Sequence, residues 1–242
     1  MIRFFAEPHQ ISGGIIQLGS DDAEHIRSLR LRPSEEFTVC DGAGLDYICR
    51  LGGRAGGSIA EIVSTRPSKG EPNIRCSVYI AYAKGDRLEY AVQKSTELGA
   101  FDIILFHSER CVSVPAEVSK RITRLKRIIL ETAKQCDRGR VPAISAAESF
   151  SAAIREAARA GLPLFLYENE DKTSLKSALE QHGKAETVSI VTGPEGGFEP
   201  AEAGAAQSAG MITVSLGPRI LRCETAPVAA LAAVMYHTGN LQ

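Results

Sequence analysis

The sequence predicts an α/β protein in two parts: a small β-rich region, then a mostly parallel sheet with helices on both faces. Three observations predict it. Residues 1 to about 70 read as short strands with tight turns and a single helical pattern. Next comes a polar, proline-bounded stretch, Pro67-Ser68-Lys69-Gly70-Glu71-Pro72-Asn73, which has the composition of a linker. From Cys76 onward strand-like and helix-like runs alternate, the pattern of a parallel sheet covered on both faces.

In the first region, taken as 1–70, Glu36–Cys40 and Leu45–Leu51 flank Asp41-Gly42-Ala43-Gly44 and predict a hairpin. Ser58–Thr65 predicts a further strand. Asp21–Leu31 predicts a helix capped by Ser20 or Asp22. The sum is a small β-barrel pattern. In the second region, taken as 74–242, Cys76–Ala83 predicts a strand, Asp86–Leu98 an amphipathic helix, Asp102–His107 a strand and Glu117–Cys136 a long helix. The alternation continues through Ser149–Ala160, Pro163–Glu168, Thr173–Gln181, Thr187–Thr192, Pro200–Gly210, Met211–Leu216 and Thr225–His237. The last helix carries Ala226, Ala229, Ala230, Ala232 and Ala233, either for helix propensity or for close packing against neighbours.

Composition sets limits. With 44% hydrophobic and 24% charged residues the chain has the balance of a soluble globular protein. No apolar run approaches the ~18 residues that span a bilayer. Met1-Ile2-Arg3-Phe4-Phe5 lacks the apolar core of a secretory signal, so a cytoplasmic location is expected. The six cysteines are scattered without a Cys-x-x-Cys pair and read as reduced thiols; the five histidines are equally dispersed, and no metal site is expected.

The net charge of −1 hides a strong local asymmetry. Between Lys120 and Arg140 eight Lys/Arg face only Glu131 and Asp137, a local net charge of +6. At 100° per residue, Lys120, Arg124, Arg127, Lys134 and Arg138 form one stripe, with Ile122, Leu125, Ile129, Ala133 and Cys136 opposite. Pattern alone allows a solvated face or a ridge for phosphates.

Two loops carry the chemistry. Thr192-Gly193-Pro194-Glu195-Gly196-Gly197-Phe198 follows one predicted strand, and Leu216-Gly217-Pro218-Arg219-Ile220-Leu221-Arg222-Cys223-Glu224-Thr225-Ala226 follows another. Both therefore sit at strand C-termini, where open α/β sheets bind ligands. Neither contains Gly-x-x-x-x-Gly-Lys-Ser/Thr, and no Gly-x-Gly-x-x-Gly follows a strand, which argues against a Walker-type or dinucleotide site.

These loops resemble the bacterial RsmE family, small-subunit rRNA (uracil-N3-)methyltransferases of the SPOUT superfamily. The resemblance extends to Gln93-Lys94-Ser95-Thr96-Glu97-Leu98-Gly99, to Gln135-Cys136-Asp137-Arg138-Gly139-Arg140-Val141-Pro142, and to His25–Arg32 with Cys40-Asp41-Gly42. It spans nearly the whole chain in order, with Cys223 in place of Thr and Ser95 in place of Ala as small departures. It implies a PUA-like RNA-binding barrel followed by a SPOUT domain whose C-terminus is threaded into a trefoil knot. It further implies S-adenosylmethionine (SAM) as cofactor, 16S rRNA, within the small ribosomal subunit, as partner, and a homodimer.

On that resemblance, cofactor binding falls to Thr192, Gly193, Pro194, Glu195, Gly196, Gly197, Leu216, Gly217, Ile220, Leu221, Arg222 and Thr225. SAM has no phosphates, which suits glycine loops without a Walker lysine. Uracil N3 carries a proton at neutral pH, so methylation requires that proton to leave. Glu195 is the candidate base or else a brace for its loop, and Arg222 stabilises developing negative charge or else pairs with Glu224. RNA contacts are expected from Arg3, Arg27 and Arg30 in the first region and from Arg124, Arg127, Lys134, Arg138 and Arg140 on and after the basic helix. Lys94 and Glu97, three apart, read as a pair, and His25 as a structural histidine. Two rivals stand beside this reading: a non-catalytic rRNA-binding assembly factor and a dinucleotide oxidoreductase.

Overall fold

The computed structural model describes residues 2–52, 58–113, 117–182 and 185–241. Met1 and 53–57 in the expected barrel, and 114–116, 183–184 and 242 in the second region, lie outside the described residues. The chain divides into two compact units, Met1–Glu71 with Leu130–Val141, and Pro72–Ile129 with Pro142–Gln242. The sequence boundary at about residue 70 puts 130–141 with the second region, whereas the fold counts them with the first. Composition gives no hint of that return, because its side-chain bonds reach residues 67 to 135 positions away.

The first unit contains β1 (Arg3–Phe5), a 3-10 turn at Pro8–Gln10, β2 (Ile11–Ser12), β3 (Ile15–Gln17), α1 (Ser20–Leu29), β4 (Phe37–Cys40), β5 (Leu45–Leu51) and β6 (Ile59–Pro67). They form one six-stranded sheet in the order β1-β4-β5-β6-β3-β2, in which β1 and β4 run parallel and the other pairs antiparallel. The sheet curls as a mixed half-barrel with β1 and β2 at its two ends. Its concave side holds Phe4, Ile16, Leu18, Ile26, Phe37, Val39, Cys49 and Ala60. Phe4 meets Phe37 and His25 edge-on at 5.8 and 5.7 Å, so His25 packs on the core through one ring edge.

The expected β4–β5 hairpin is present, with Val39 opposite Tyr47. The cap of α1 differs from expectation. Gly19, not Ser20 or Asp22, occupies the extended N-cap position without a side-chain bond. Asp21 and Asp22 instead lie in the first turn, where they favour the positive helix end. Arg30 closes the helix in the left-handed region at φ 52°.

Residues 130–141 supply buried ion pairs to this unit. Arg138 donates to both carboxylate oxygens of Glu71, at 2.8 and 3.0 Å, and the Glu71 carboxylate also accepts the Gly139 and Arg140 backbone N–H groups. Arg3 donates to both oxygens of Asp46, at 2.7 and 2.9 Å, and to the Arg138 carbonyl at 3.2 Å. Asp46 also accepts from the Ser68 hydroxyl. Burial works to raise the Asp46 carboxyl, but the hydrogen bonds of Arg3 and Ser68 and the guanidinium charge outweigh it and hold it below the usual carboxylate range.

The second unit begins with β7 (Arg75–Ala81), α2 (Asp86–Glu97) and β8 (Asp102–Phe106). The long α3 (Val118–Gln135) follows, its residues from Leu130 on belonging to the first unit, then β9 (Ala143–Ala146), α4 (Phe150–Ala157), β10 (Leu162–Leu166) and α5 (Leu175–His182). The chain ends through β11 (Thr187–Thr192), α6 (Pro200–Ser208), β12 (Ile212–Val214) and α7 (Thr225–His237). All its strand pairs are parallel, in the order β12-β10-β11-β7-β8-β9. The short β9 was not anticipated. Residues of both pleat directions are buried: Tyr79, Phe106, Phe165 and Val191 with α4 and α6 on one side, and Val78, Ile80, Leu105 and Ile190 among the alternate positions. That two-sided burial is why these strands are nearly continuously apolar.

From β12 at one edge the chain returns to the centre, where α7 packs on β11, β7 and α2. The apolar face expected of α3 is real at Leu125, Ile129 and Ala133, all fully buried. Among the described residues no helix is long and apolar enough to cross a membrane, and all six cysteines are free thiols.

Candidate active site

Three loops at the C-terminal ends of β10, β11 and β12, with Arg87 of α2, meet around a cavity of about 660 Å³. That is within the ~300–1,000 Å³ of small-molecule sites, and at the sheet edge where such sites occur. The first glycine loop is anchored by its own aromatic residue. Phe198 is fully buried, 4.3 Å from the Phe165 ring centroid and stacked parallel to Phe106. Its backbone N–H donates to Glu168 Oε1 at 3.1 Å, and the Gly197 N–H closes a turn on the Pro194 carbonyl at 3.0 Å. Gly197 sits at φ +70°, and a Cβ there would collide with the Glu168 carboxylate. Glycine at 197 is thus required twice, by backbone angle and by the approach of Glu168.

The second loop leaves β12 through Ser215, whose hydroxyl accepts the Gly217 N–H at 3.1 Å. Gly217 adopts φ +100°, and a Cβ on it would meet no protein atom within 4 Å, so it opens onto the cavity rather than into the fold. Arg222 ends the loop, its carbonyl accepting the Thr225 and Ala226 N–H groups that start α7.

Of the residues expected to bind cofactor, Gly193, Pro194, Glu195, Gly196, Gly197, Leu216, Gly217, Ile220, Leu221 and Arg222 all line this cavity. Thr192 and Thr225 do not. The Thr192 hydroxyl is buried and donates to the Tyr79 carbonyl at 3.2 Å, and Thr225 begins α7 outside the lining. Glu195 accepts from the Lys84 backbone N–H at 2.8 Å and from Arg87 at 3.2 Å through Oε1. Its Oε2 is buried with no hydrogen-bond partner among the described residues. Arg222 is exposed and makes no ion pair with Glu224 within 4 Å among the described residues, although its charge is felt there.

The lining also contains residues the sequence reading missed. Leu166, Tyr167, Glu168, Glu170 and Asp171 come from the end of β10, and Arg87 from the first turn of α2. The strand-end rule would have found the β10 group, since that strand was predicted. Arg87 carried no signal, because it reaches the site from 108 residues away. The lining carries five carboxylates against Arg87, Arg219 and Arg222. The Thr213 hydroxyl at 2.6 Å, against the opposing effect of burial and joined by two backbone N–H groups, holds Glu170 below the usual carboxylate range. Burial pushes the Cys223 thiol up to about 12, with Glu224 and Glu195 adding to it.

The expected RNA contacts separate into two groups. Arg27, Arg30, Arg124 and Arg127 are exposed. Arg3 and Arg138 are corrected: both guanidiniums are buried in the ion pairs with Asp46 and Glu71 and present no charge to a phosphate. Lys134 is bound to Asp22 at 3.1 Å, and Arg140 is half-buried with its backbone N–H on Glu71. Arg124 lies 2.9 Å from Glu89, whose other oxygen holds Arg121. Lys94 and Glu97 form the expected pair at 2.6 Å.

Among the described residues no group of three or more His, Cys, Asp or Glu is placed to hold a metal ion. The cavity does suit a cationic organic ligand of SAM's kind: a lining with five carboxylates against three arginines, and a glycine that opens onto free space.

Comparison with known proteins agrees in extent and in shape. The family described as an RNA methyltransferase domain matches residues 70–235. Ribosomal RNA small subunit methyltransferase E of Bacillus subtilis is 30% identical, covering 100% of this chain and 99% of its own. Its Mycobacterium bovis counterpart is 31% identical, covering 96% and 90%. The crystal structure of Ribosomal RNA small subunit methyltransferase E from Neisseria gonorrhoeae, bound to S-adenosyl methionine, superposes with a TM-score of 0.85 at 29% identity. It covers 98% of this chain and 97% of that one.

Proposed function

The chain belongs to the RsmE family of ribosomal RNA small subunit methyltransferases, and from that premise we propose that it moves a methyl group from SAM to N3 of a uridine in 16S rRNA. One observation carries the reading: both family loops converge on a single cavity of small-molecule size at the strand C-termini. The similar Neisseria protein was solved with S-adenosyl methionine bound.

SAM supplies a methyl group on a sulfonium that leaves easily, so this chain's work is binding, alignment and proton removal. Gly193–Gly197 and Leu216–Arg222 hold the cofactor, Leu216, Gly217, Ile220 and Leu221 through backbone groups and aliphatic walls around the adenine. Arg222, exposed at the cavity and free of an ion pair within 4 Å among the described residues, stabilises the negative charge that develops on a uracil oxygen. Glu195 accepts the N3 proton.

The first unit and the cations of α3 hold the RNA. Arg27, Arg30 and Arg127 are exposed for phosphate contact, and Arg124 is exposed although already paired with Glu89. The homodimer belongs to the same reading. The half-buried Ala226, Ala229, Ala232 and Ala233 with exposed Tyr236 give α7 a face of small residues for a second copy.

The test is incubation with methyl-labelled SAM and small ribosomal subunits from cells lacking the endogenous enzyme, followed by nucleoside mass spectrometry. Labelled 3-methyluridine is the expected product. Label in another nucleoside would replace the acceptor while keeping the methyltransferase, and no SAM binding with intact RNA binding would favour an assembly factor.

A further inference from the structure

The first glycine loop is gripped by a residue that lies outside the cavity. Arg110, in the turn after β8, donates through Nη1 to the Gly196 carbonyl at 3.0 Å and through Nε to Glu199 at 2.7 Å. It is exposed and is not part of the cavity lining. Its platform is fixed. The Cys111 N–H closes the Ser108–Cys111 turn on the Ser108 carbonyl at 3.0 Å. The buried Ser108 hydroxyl and the Glu109 N–H both donate to Glu202 Oε1, at 2.9 and 3.0 Å. An arginine on so rigid a base keeps its planar fork aimed at a small cost in side-chain entropy.

The two adjacent glycines of the loop are pressed by different neighbours. A Cβ on Gly196 would come within 2.9 Å of the Arg110 Cβ, and one on Gly197 would collide with Glu168. The peptide between them is held at both ends, its carbonyl by Arg110 and its N–H by the Pro194 carbonyl at 3.0 Å. With no side chain on either flank such a peptide is otherwise free to rotate, because glycine adopts φ of either sign almost equally. Among the described residues the Gly196 carbonyl accepts from no group but Arg110. The start of α6 does not need the same grip, since the Glu199 N–H donates to Glu202 Oε2 at 2.9 Å and Phe198 is buried in the core.

We propose that Arg110 is a positioning residue for the cofactor: it pins the Gly196–Gly197 peptide and so keeps the loop in the shape that accepts SAM. This rests on the reading above in which Gly193–Gly197 holds SAM. In this role Arg110 touches no reactant. Without it the loop is divided between the pinned shape and others, and SAM binds only the pinned fraction. Apparent affinity falls by that fraction, while bound SAM draws the loop back to the pinned shape. The reaction at saturating SAM is therefore nearly unaffected. An exposed ion pair contributes little to global stability, so melting does not follow affinity.

The experiment compares the full-length wild type with Arg110→Gln and Arg110→Lys. It measures SAM affinity by calorimetry, hydrogen exchange of residues 193–198 with and without SAM, thermal melting, and single-turnover methylation of small subunits at saturating SAM. Arg110→Gln should bind SAM at least about tenfold more weakly, as when the competent shape falls to about a tenth of the molecules. Its 193–198 amides should exchange faster without SAM and return to the wild-type rate once SAM is bound. Its methylation rate at saturating SAM should stay within a few-fold of wild type. Arg110→Lys, which can still donate to the carbonyl, should fall between the other two in affinity.

A SAM affinity within about twofold of wild type in Arg110→Gln overturns the proposal. So does unchanged exchange at 193–198 beside weakened SAM binding, which places the effect elsewhere. A rate at saturating SAM that falls as far as the affinity also overturns it, because Arg110 would then act on the reaction itself. If both variants lose cooperative melting, Arg110 serves the fold as a whole and the local role is wrong. A wild type that binds no SAM overturns the cofactor reading and this proposal together. A wild type that binds SAM leaves that reading standing whatever the variants do.

Discussion

Arg3 shows what a residue's type reveals and what its surroundings decide. Read in sequence it is a cation in an RNA-binding region; in the fold its guanidinium is 5% exposed and locked on Asp46, 43 residues away. Arg138 meets Glu71 in the same manner across 67 residues. Charge is legible in a sequence, but the long-range partner that neutralises it is not. Removing one partner of a buried pair strands the other, so Arg3→Gln should destabilise the protein by about 3–5 kcal/mol in urea unfolding at pH 7. The pH sign follows from Asp46, whose folded carboxyl lies below its ordinary value. Its contribution is fully present above the unfolded-state value of ~3.9 and is lost as pH falls through the lower folded value. Asp46→Asn should therefore flatten the acid limb of stability, and an unchanged limb would show that another carboxylate sets it. Ser95 gives the opposite lesson, since it stands where the family resemblance expects Ala. Its hydroxyl is buried on α2 with no partner among the described residues. Ser95→Ala should raise stability by about 1 kcal/mol, because an unsatisfied buried hydroxyl is removed without leaving a cavity; a loss would mean that the hydroxyl has a role the static structure hides.

At the scale of elements, legibility tracked how local the cause was. The β4–β5 hairpin, the apolar face of α3 and the strands of the parallel sheet follow from alternation, turn residues and helical period, all short-range signals. The two-residue β2 and the four-residue β9 are too short to carry a pattern, and pairing with neighbours is what makes them strands. The cap of α1 departs from the sequence expectation because Ser20 and Asp22 have good capping chemistry, yet the turn places Gly19 at the boundary. The glycine loops were readable as loops; their shape was not. What shapes the first is Phe198 in the core and Glu168 behind Gly197, neither visible from the motif. Gly197→Ala brings a Cβ into the Glu168 carboxylate at a positive φ, so the loop must move and the Phe198 N–H bond must lengthen. SAM affinity should fall by at least about tenfold, with the far-ultraviolet dichroism of the parallel sheet unchanged; tenfold is about 1.4 kcal/mol of binding. Glu168→Ala in the same chain should recover part of the loss, since it clears the space that the new methyl needs. Retained SAM affinity in Gly197→Ala would mean that the cofactor does not depend on this loop.

For the whole molecule the question is where the excess positive charge of residues 120–140 goes. The sequence shows a local +6, which by itself allows either a solvated face or a phosphate ridge. The fold redistributes it. Arg121 and Arg124 share Glu89, Lys134 binds Asp22, Arg138 is consumed by Glu71, and Lys120 pairs with Glu117 at 2.8 Å. Lys126 and Arg127 are exposed and have no ion pair within 4 Å among the described residues. Binding to RNA releases about 0.7 counterion per single-strand phosphate neutralised, so the slope of log affinity against log salt counts the cations engaged. Paired reversal at Lys126 and Arg127, each to Glu, should weaken binding to a 16S rRNA fragment at low salt and make the slope shallower by roughly 1.4 or more. Arg124→Glu should change the slope less, because much of that charge is already balanced by Glu89, although losing the partly exposed pair costs little stability by itself. SAM affinity should stay constant in both proteins, since none of the three residues lines the cavity. If the Lys126/Arg127 reversal leaves the slope unchanged, α3 is a solvated face, and the positioning of RNA falls to Arg27 and Arg30. Equal slopes for the Arg124 and Arg127 single reversals would instead show that the Glu89 pair opens when RNA arrives, and that ion pairing in the free protein does not decide which cations bind.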